Sequence, residues 1–310
     1  MKHPEVGFHS HARARLVVYP PDPPNAIARR VIGALRAERL ADAIRYAREL
    51  PCDTSVEQAW SGYLESRIHL ENGDYAAART AALKSASAAL TLAFDDRNDS
   101  TRLRLASAAL ETQGTALRRQ DQYGEATRIH RAAFELRRSD GISEEQVDSA
   151  LSLAACSEWL GDAVGAETWY QAAIGMNLGE ADSALLKAWA MIRFSTWLTM
   201  KCRHSEAVAL ADGAQQLLHQ FMPGELATTS AGLSAVDALI NHAEALHVEA
   251  PEDALTLIHK ASKLLETMND ELSAFGASAE ADLVWCKEKL EFLRRLRQSL
   301  EETTTAEKHA

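Results

Sequence analysis

Histidine and acidic side chains are the residues of this 310-residue chain that could support metal binding. His9 and His11 are spaced as a metal-binding pair, but no third ligand is indicated nearby, so a solvated tail is favoured. Residues 95–100 superficially resemble a calcium loop. Such a loop needs Gly at its sixth position and Glu at its twelfth, where Ser100 and Ala106 stand. The sequence therefore predicts no metal site.

Catalytic motifs are absent from the sequence as well. The patterns of phosphate-binding loops, serine hydrolases and zinc proteases do not occur. His247-Val248-Glu249 matches half of a zinc-deaminase signature, but no Pro-Cys-x-x-Cys follows. His242 and His247, five residues apart, fall on different faces of a helix. We therefore expect a protein that is not an enzyme, with no catalytic residue and no cofactor.

The cysteines and the apolar runs bear on the compartment. Cys52, Cys156, Cys202 and Cys286 lie far apart with no Cys-x-x-Cys pair, which favours free thiols in a reducing environment. No run of 18 apolar residues predicts a membrane span, and no apolar signal core follows Met1. We expect a cytoplasmic protein that does not bind membranes.

Charge is distributed unevenly along the chain. Residues 1–140 carry 21 Lys and Arg against 18 Asp and Glu, whereas residues 141–310 carry 12 against 26. Because phosphate binding needs clustered cations, the acidic half is a poor nucleic-acid surface. We expect no nucleic-acid partner. An anionic partner would bind the first half, and the net charge of −11 also serves solubility.

The composition predicts helices, because Ala, Leu, Arg and Glu dominate and Gly and Pro number only 15 and 8. The stretch 70–79 has the pattern of a helical corner. An apolar-striped helix stops at Asn72-Gly73, Asp74 caps the next helix, and Tyr75 and Ala78 begin its inner face. The same corner recurs down the chain, so these residues are interpreted as architecture.

The repeat becomes measurable when the corners are aligned on the alanine that follows each one. These anchor alanines are Ala78, Ala126, Ala166, Ala207 and Ala254, spaced 48, 40, 41 and 47 residues apart. A small or polar residue recurs twelve positions before each anchor, and a small one recurs seven positions after it. Each hairpin buries only one side alone, so neighbouring hairpins must stack to complete a core.

This pattern resembles the tetratricopeptide repeat over about residues 57–265. The segments that match best are Gly114…Leu117…Tyr123…Ala126…Ala133 and Leu153-Ala154…Gly161…Ala166…Tyr170…Ala173. The period of 40 to 48 residues, in place of 34, indicates a long-period variant. The resemblance implies an all-α fold, a right-handed superhelical solenoid of stacked antiparallel helix pairs with a long C-terminal capping helix.

The expected layout has three parts. Residues 1–26 are a His- and Pro-rich arm, either flexible or laid along the first helices. Residues 27–302 form a single solenoid, and residues 303–310 form a disordered tail. The repeats span about 27–51, 56–94, 101–139, 144–177, 182–221 and 230–268, followed by a capping helix at 271–302. The apolar stripe of that last helix allows either a cap or a homodimer seam.

The resemblance also places a groove on the first helix of each pair. Large aromatic and arginine side chains at the positions it implies to be exposed, or adjacent to one in the case of Arg193, are candidates for a peptide or partner site. They are Trp60, Tyr63, Arg67, Arg118, Arg119, Trp159, Trp189 and Arg193. The alternative is that the aromatic members fill the core between repeats.

Three functional hypotheses follow. The first is a non-enzymatic scaffold that binds a protein or peptide in the concave groove. The second is a sensory or regulatory module whose conformation responds to a peptide. The third is a structural protein that self-assembles through its C-terminal helix.

Overall fold

The computed structural model describes residues 19–20, 23–95, 100–139, 141, 143–176, 181–221, 230–273 and 280–309. Within these ranges the chain forms thirteen α-helices and no strand. The helices are α1 (Ala26–Arg36), α2 (Leu40–Ala47), α3 (Ser55–Glu71), α4 (Tyr75–Asp95), α5 (Ser100–Arg119), α6 (Tyr123–Ser139), α7 (Ser143–Trp159), α8 (Ala163–Gly175), α9 (Ala181–Met200), α10 (His204–Phe221), α11 (Ser230–Leu246), α12 (Pro251–Ser273) and α13 (Glu280–His309).

The ends of α3 show why a helix forms where the sequence predicts one. Thr54 accepts a hydrogen bond from the backbone N–H of Glu57, and the Glu57 side chain accepts one from the Thr54 N–H, a complete capping box. At the other end Gly73 has φ +77°, which glycine adopts without strain. The Asp74 N–H then donates to the His69 carbonyl over 2.9 Å and closes the helix.

This corner geometry recurs through the chain. A residue with positive φ stands five positions before an anchor alanine that has no exposed surface, at Glu38, Gly73, Asp121, Gly161 and Cys202. The recurrence confirms four of the predicted corners. It also adds Ala43 as an anchor, which the sequence did not single out. The corner before Ala254 differs, because the Ala250 N–H donates to the Leu246 carbonyl instead.

The chain divides into two compact units. The first covers residues 14–177 and contains α1 to α8. Each helix from α1 to α7 packs against the next one, and the first helices of successive pairs, α1, α3, α5 and α7, also contact each other. Its core contains Val31, Leu35, Trp60 and Leu64, together with alanines that let the helices approach closely. This is the stacked-pair packing that the repeat predicts.

The second unit, from residue 178 onwards, contains α9 to α13 among its described residues. Its helices again pack in sequence, and α9 also contacts α11. The prediction of an all-α fold of stacked helix pairs is confirmed for each unit. That residues 27–302 form one continuous solenoid stays a prediction.

The C-terminal helix begins later and ends later than expected. Residues 271–273 belong to α12, and α13 runs from Glu280 to His309, so residues 303–309, expected as a disordered tail, continue the helix. The pairs Arg297–Glu301 and Gln298–Glu302, four residues apart, support its last turns. Trp285, Cys286 and Leu293 are buried in the cluster that α13 shares with α11 and α12, as a cap requires. A dimer through this helix stays a prediction.

Candidate functional site: the first-helix face of the first unit

The first-helix face is the side of α1, α3, α5 and α7 that carries the positions eighteen, fifteen, eleven and seven residues before each anchor. The resemblance implies that a partner binds these positions. In the first unit they include Arg36 on α1, Tyr63 and Arg67 on α3, Glu111 on α5, and Asp148 on α7. Because α1, α3, α5 and α7 contact each other in succession, their side chains form one surface.

Two residues that precede the first helix already lie on this face. Tyr19 and Pro20 belong to no helix, and both residues are buried. The Tyr19 ring meets the edge of Tyr63 with 6.4 Å between centroids and 72° between planes. The guanidinium carbons of Arg36 and Arg67 lie 5.2 and 5.9 Å from its centroid. Of the two expectations for the N-terminal arm, these residues follow the one in which it lies along the first helices. His9, His11 and most of the arm fall outside the described residues.

The predicted exposure of Trp60 and Tyr63 is wrong, because they are only 2% and 1% accessible. Trp60 packs in the core of the first unit, with its ring 6.0 Å from that of Tyr63. Tyr63 is covered by Tyr19, and burial strongly raises the pKa of its phenol. Their role in binding a partner stays a prediction.

Arg67 is a predicted site residue that lies on this face beside Tyr19. Its side chain is 12% accessible and donates to Glu71 over 2.9 Å. Burial would lower the pKa of this guanidinium, but Tyr19, Tyr63 and Glu71 outweigh that effect and raise it. Arg67 therefore remains a cation even at this depth, next to the ring of Tyr19.

The other predicted residues lie at the edge of this face or in the second unit. Arg118 and Arg119 are partly exposed on the last turn of α5. Trp159 is 40% accessible and stacks on Tyr123, 5.3 Å away and almost parallel, at the corner end of its helix. Trp189 and Arg193 belong to α9 of the second unit, where the guanidinium lies 5.6 Å from the indole centroid.

Beneath the face is a buried ionic cluster of Glu111, His130, Arg137, Glu145 and Ser149. Arg137 Nη1 donates to Ser149 Oγ over 2.5 Å and to the Glu145 carbonyl over 2.7 Å, and lies 3.5 Å from Glu111 Oε2. Ser149 Oγ donates to Glu111 Oε2 over 2.9 Å, and His130 Nδ1 lies 2.8 Å from Glu111 Oε1. Since the cluster joins α5, α6 and α7, it fixes how those helices pack.

The same residue types serve as catalysts in hydrolases, yet this arrangement is different. A catalytic serine bonds to its histidine, which an acid orients. Here Ser149 and His130 each contact the carboxylate of Glu111 instead. His130 has no accessible surface and Ser149 none either, so a substrate cannot reach them. The geometry is that of a structural network.

The pKa values of Glu111, which is buried, and Asp148, which is accessible, shift in opposite directions. Burial would raise the pKa of Glu111, but the attraction of His130 and Arg137 outweighs it and lowers the pKa. The pKa of Asp148 is raised, first by the protein that displaces water around it and next by the charge of Glu111. Nevertheless, its side chain is 54% accessible, and its Oδ2 lies 3.9 Å from Arg137 Nη1. Asp148 is therefore the accessible carboxyl group of the two.

Gly114 explains how His130 fits between the helices. A Cβ at residue 114 would lie 2.6 Å from Cε1 of His130, closer than any real Cβ contact. The glycine stands twelve positions before the anchor Ala126, and the histidine stands four after it. In the next repeat the corresponding pair is Ala154 with buried Tyr170. A small residue at the first position therefore makes room for a large one at the second.

Sequence reasoning missed Tyr19, Arg36, Glu111 and Asp148 as members of this site. Glu111 and Asp148 occupy positions that the resemblance assigns to the groove. An acidic residue at a groove position was the sequence feature that could have identified them. Arg36 stands seven before the unrecognised anchor Ala43. No repeat position marks Tyr19, because it reaches the face from outside the array.

Other kinds of site are not found in the described part of the chain. No group of three His, Cys, Asp or Glu side chains there could hold a metal ion. No helix among the described residues is long and apolar enough to cross a membrane. No disulfide joins Cys52, Cys156 or Cys202, and burial raises the pKa of Cys156 to about 11, which makes its thiol unreactive.

Comparison with known proteins supports the fold. No protein-family model matches the sequence, and no curated protein matches it. Among solved structures, BtubC (BKLC) from P. vanneervenii is similar with a TM-score of 0.59 at 15% identity, over 79% of this chain and 93% of that chain. The apo form of RapI is similar with a TM-score of 0.51 at 12% identity, over 92% of this chain and 98% of that chain. Both are all-helical repeat-like folds, and at these identities the likeness concerns the fold alone.

Proposed function

We propose that this protein is a non-enzymatic scaffold that binds an extended segment of a partner protein or a peptide on the first-helix face of its first unit. The observation that carries the proposal is the placement of Tyr19 and Pro20. A non-helical stretch of chain is buried there against Tyr63, Arg36 and Arg67. A surface that holds two non-helical residues of its own chain has the chemistry to hold such residues of another chain.

The charges along the face give a bound segment a direction. Arg36 and Arg67 lie on α1 and α3, whereas the accessible carboxylate of Asp148 lies on α7. A segment that crosses from α1 to α7 meets cations first and then an anion. Complementary charges on the partner would fix its orientation and register. The proposal includes a cytoplasmic location and no nucleic-acid or membrane partner, in keeping with the net charge of −11.

The test is selection of peptides from a displayed random library on the full-length chain. Binding of a selected peptide is then measured by fluorescence anisotropy with Arg67→Ala and with Asp148→Asn. At least one of the two should weaken binding about tenfold or more, which corresponds to about 1.4 kcal/mol. Arg131→Ala is the matched control, because this arginine is exposed on α6 and lies over the ring of Trp169. Selected peptides whose affinity depends on Arg131 but on neither face residue would contradict the proposal.

The regulatory alternative has a specific observation in its favour. The first-helix face is shared by α1, α3, α5 and α7, so one segment would contact four successive pairs. Such a ligand favours one set of angles between the pairs. Small-angle scattering of the full chain at saturating peptide checks this, and an unchanged profile counts against regulation by shape.

A further inference from the structure

We propose that Tyr19-Pro20 is a built-in occupant of a subsite for an aromatic residue followed by proline. The partner segment would present the same pair and displace the arm in order to bind. This inference rests on the proposed function, and it names the chemistry of the ligand. It follows from how the ring and the proline of this chain are held.

The subsite is selective for an aromatic ring. Tyr19 is 7% accessible, with the edge of Tyr63 on one side and the guanidinium groups of Arg36 and Arg67 near its ring. A ring face attracts cations, whereas an aliphatic side chain of equal size offers no such attraction. Burial raises the pKa of Tyr19, and the nearby Arg67 charge partly offsets this. The phenol is therefore held neutral, with two guanidinium groups near its ring.

The place of proline is also defined by the structure. Pro20 is buried next to Tyr19, and a cavity of about 370 Å³ adjoins both residues, bordered by Arg29, Ile32 and Gly33 of α1. The cavity leaves room for a larger side chain beside the proline of a ligand. Proline-rich segments lose little conformational entropy on docking against such surfaces.

Tyr19 and Asn25 contact opposite ends of α1. Asn25 caps α1 by accepting from the Ala28 N–H over 2.9 Å, whereas Tyr19 contacts Arg36 at the opposite end of the same helix. The chain between Tyr19 and Asn25 contains four prolines, which leave this segment little conformational freedom to lose. Its short tether gives Tyr19 an effective concentration on the order of millimolar. A separate ligand must exceed this competition.

The experiment uses a fluorescein-labelled synthetic peptide of residues 14–25 and the full-length chain. Fluorescence anisotropy should show that Tyr19→Ala binds the peptide about tenfold tighter than the unmodified chain, since the internal competitor is gone. Tyr19→Phe, which keeps the ring, should bind as weakly as the unmodified chain. A peptide with alanine in place of its tyrosine should lose binding, and adding Arg67→Ala to Tyr19→Ala should reverse the gain.

Tyr46→Ala is the matched control, since the Tyr46 ring also lies under two guanidinium groups, at 5.4 Å and 4.9 Å, but on α2. It should leave peptide affinity unchanged. Circular dichroism verifies folding, and Tyr19→Leu, which keeps apolar volume, replaces Tyr19→Ala if the latter unfolds.

The inference would be overturned if the peptide bound the unmodified chain and the variant without the Tyr19 ring with equal affinity. It would also be overturned if replacing the peptide tyrosine by alanine left the affinity unchanged. If library-selected peptides still depend on Arg67 or Asp148, the proposed function stands while this inference fails. If neither kind of peptide binds, both fail.

Discussion

Replacing Arg137 with methionine tests the buried ionic cluster most severely. Arg137 is 3% accessible and lies within 3.5 Å of carboxylate oxygens of Glu111 and Glu145. Methionine fills much of the same space with a flexible apolar chain. The substitution therefore removes the charge with little loss of volume, and it leaves two buried carboxylates without their shared cation.

The expected loss of stability is large. Breaking a buried ion pair by removing one partner costs about 3–5 kcal/mol, against a total stability of about 5–15 kcal/mol for a typical domain. For a unit of this size each kcal/mol lowers the midpoint temperature by about 2–4 °C, so a fall of roughly 6–20 °C is expected. Adding Glu111→Gln and Glu145→Gln to Arg137→Met should recover at least half of the loss, because the carboxylates no longer need a cation.

The stability lost in Arg137→Met should depend on pH through the ionisation of Glu111. The pKa of Glu111 is lowered in the folded chain, so its contribution to stability is present above the unfolded pKa of about 4.3 and is lost as pH falls further. The gap between the unmodified chain and Arg137→Met should therefore be largest near pH 7 and should narrow below about pH 4. Urea unfolding followed by circular dichroism at both pH values measures it. A loss under about 1 kcal/mol at pH 7, or a gap independent of pH, would refute the reasoning.

Four further substitutions test three particular features. Gly114→Ala should lower the free energy of unfolding in urea by about 1–3 kcal/mol, because its Cβ would lie 2.6 Å from His130. Adding His130→Ala should recover most of that loss. If it recovers nothing, the clash is not the cause. Asp148→Asn should raise the unfolding midpoint at pH 7 and not at pH 3. The raised pKa of Asp148 means that its ionised carboxyl destabilises the fold, whereas the protonated form does not. A rise of equal size at both pH values would argue against this. Cys202→Gly should stabilise the folded chain by about 1 kcal/mol, because Cys202 has φ +59°. Gly73→Ala, at φ +77°, should destabilise it by a similar amount. Calorimetry that shows both changes to be neutral would disprove the shared corner geometry.

The helices and their pairing could be predicted because both depend on local signals that repeat. An alanine without accessible surface follows each corner, and the corners before Ala78 and Ala166 carry a glycine where positive φ is needed. The corner before Ala43 has Glu38 at that position, so no turn residue marked it. The end of α13 was missed because threonines at residues 303–305 are weak helix formers, yet nothing there stops the helix.

The candidate site was less predictable, because exposure depends on contacts between residues distant in sequence. Tyr63 stands at a groove position, and it is buried because Tyr19 covers it. Glu111 stands at such a position too, but it turns inward because His130 and Arg137 supply partners from α6. Repeat position therefore indicates which helix face a residue is on, and its burial depends on what the neighbouring elements place over it.

The central claim is that an extended segment binds to the first helices of the first unit. Amide hydrogen exchange of the full-length chain, with and without a library-selected peptide at saturation, tests it most directly. The account predicts that protection increases on α1, α3, α5 and α7, with α4, α6 and α8 nearly unchanged. Protection confined to α4, α6 and α8, or to the second unit, would contradict it.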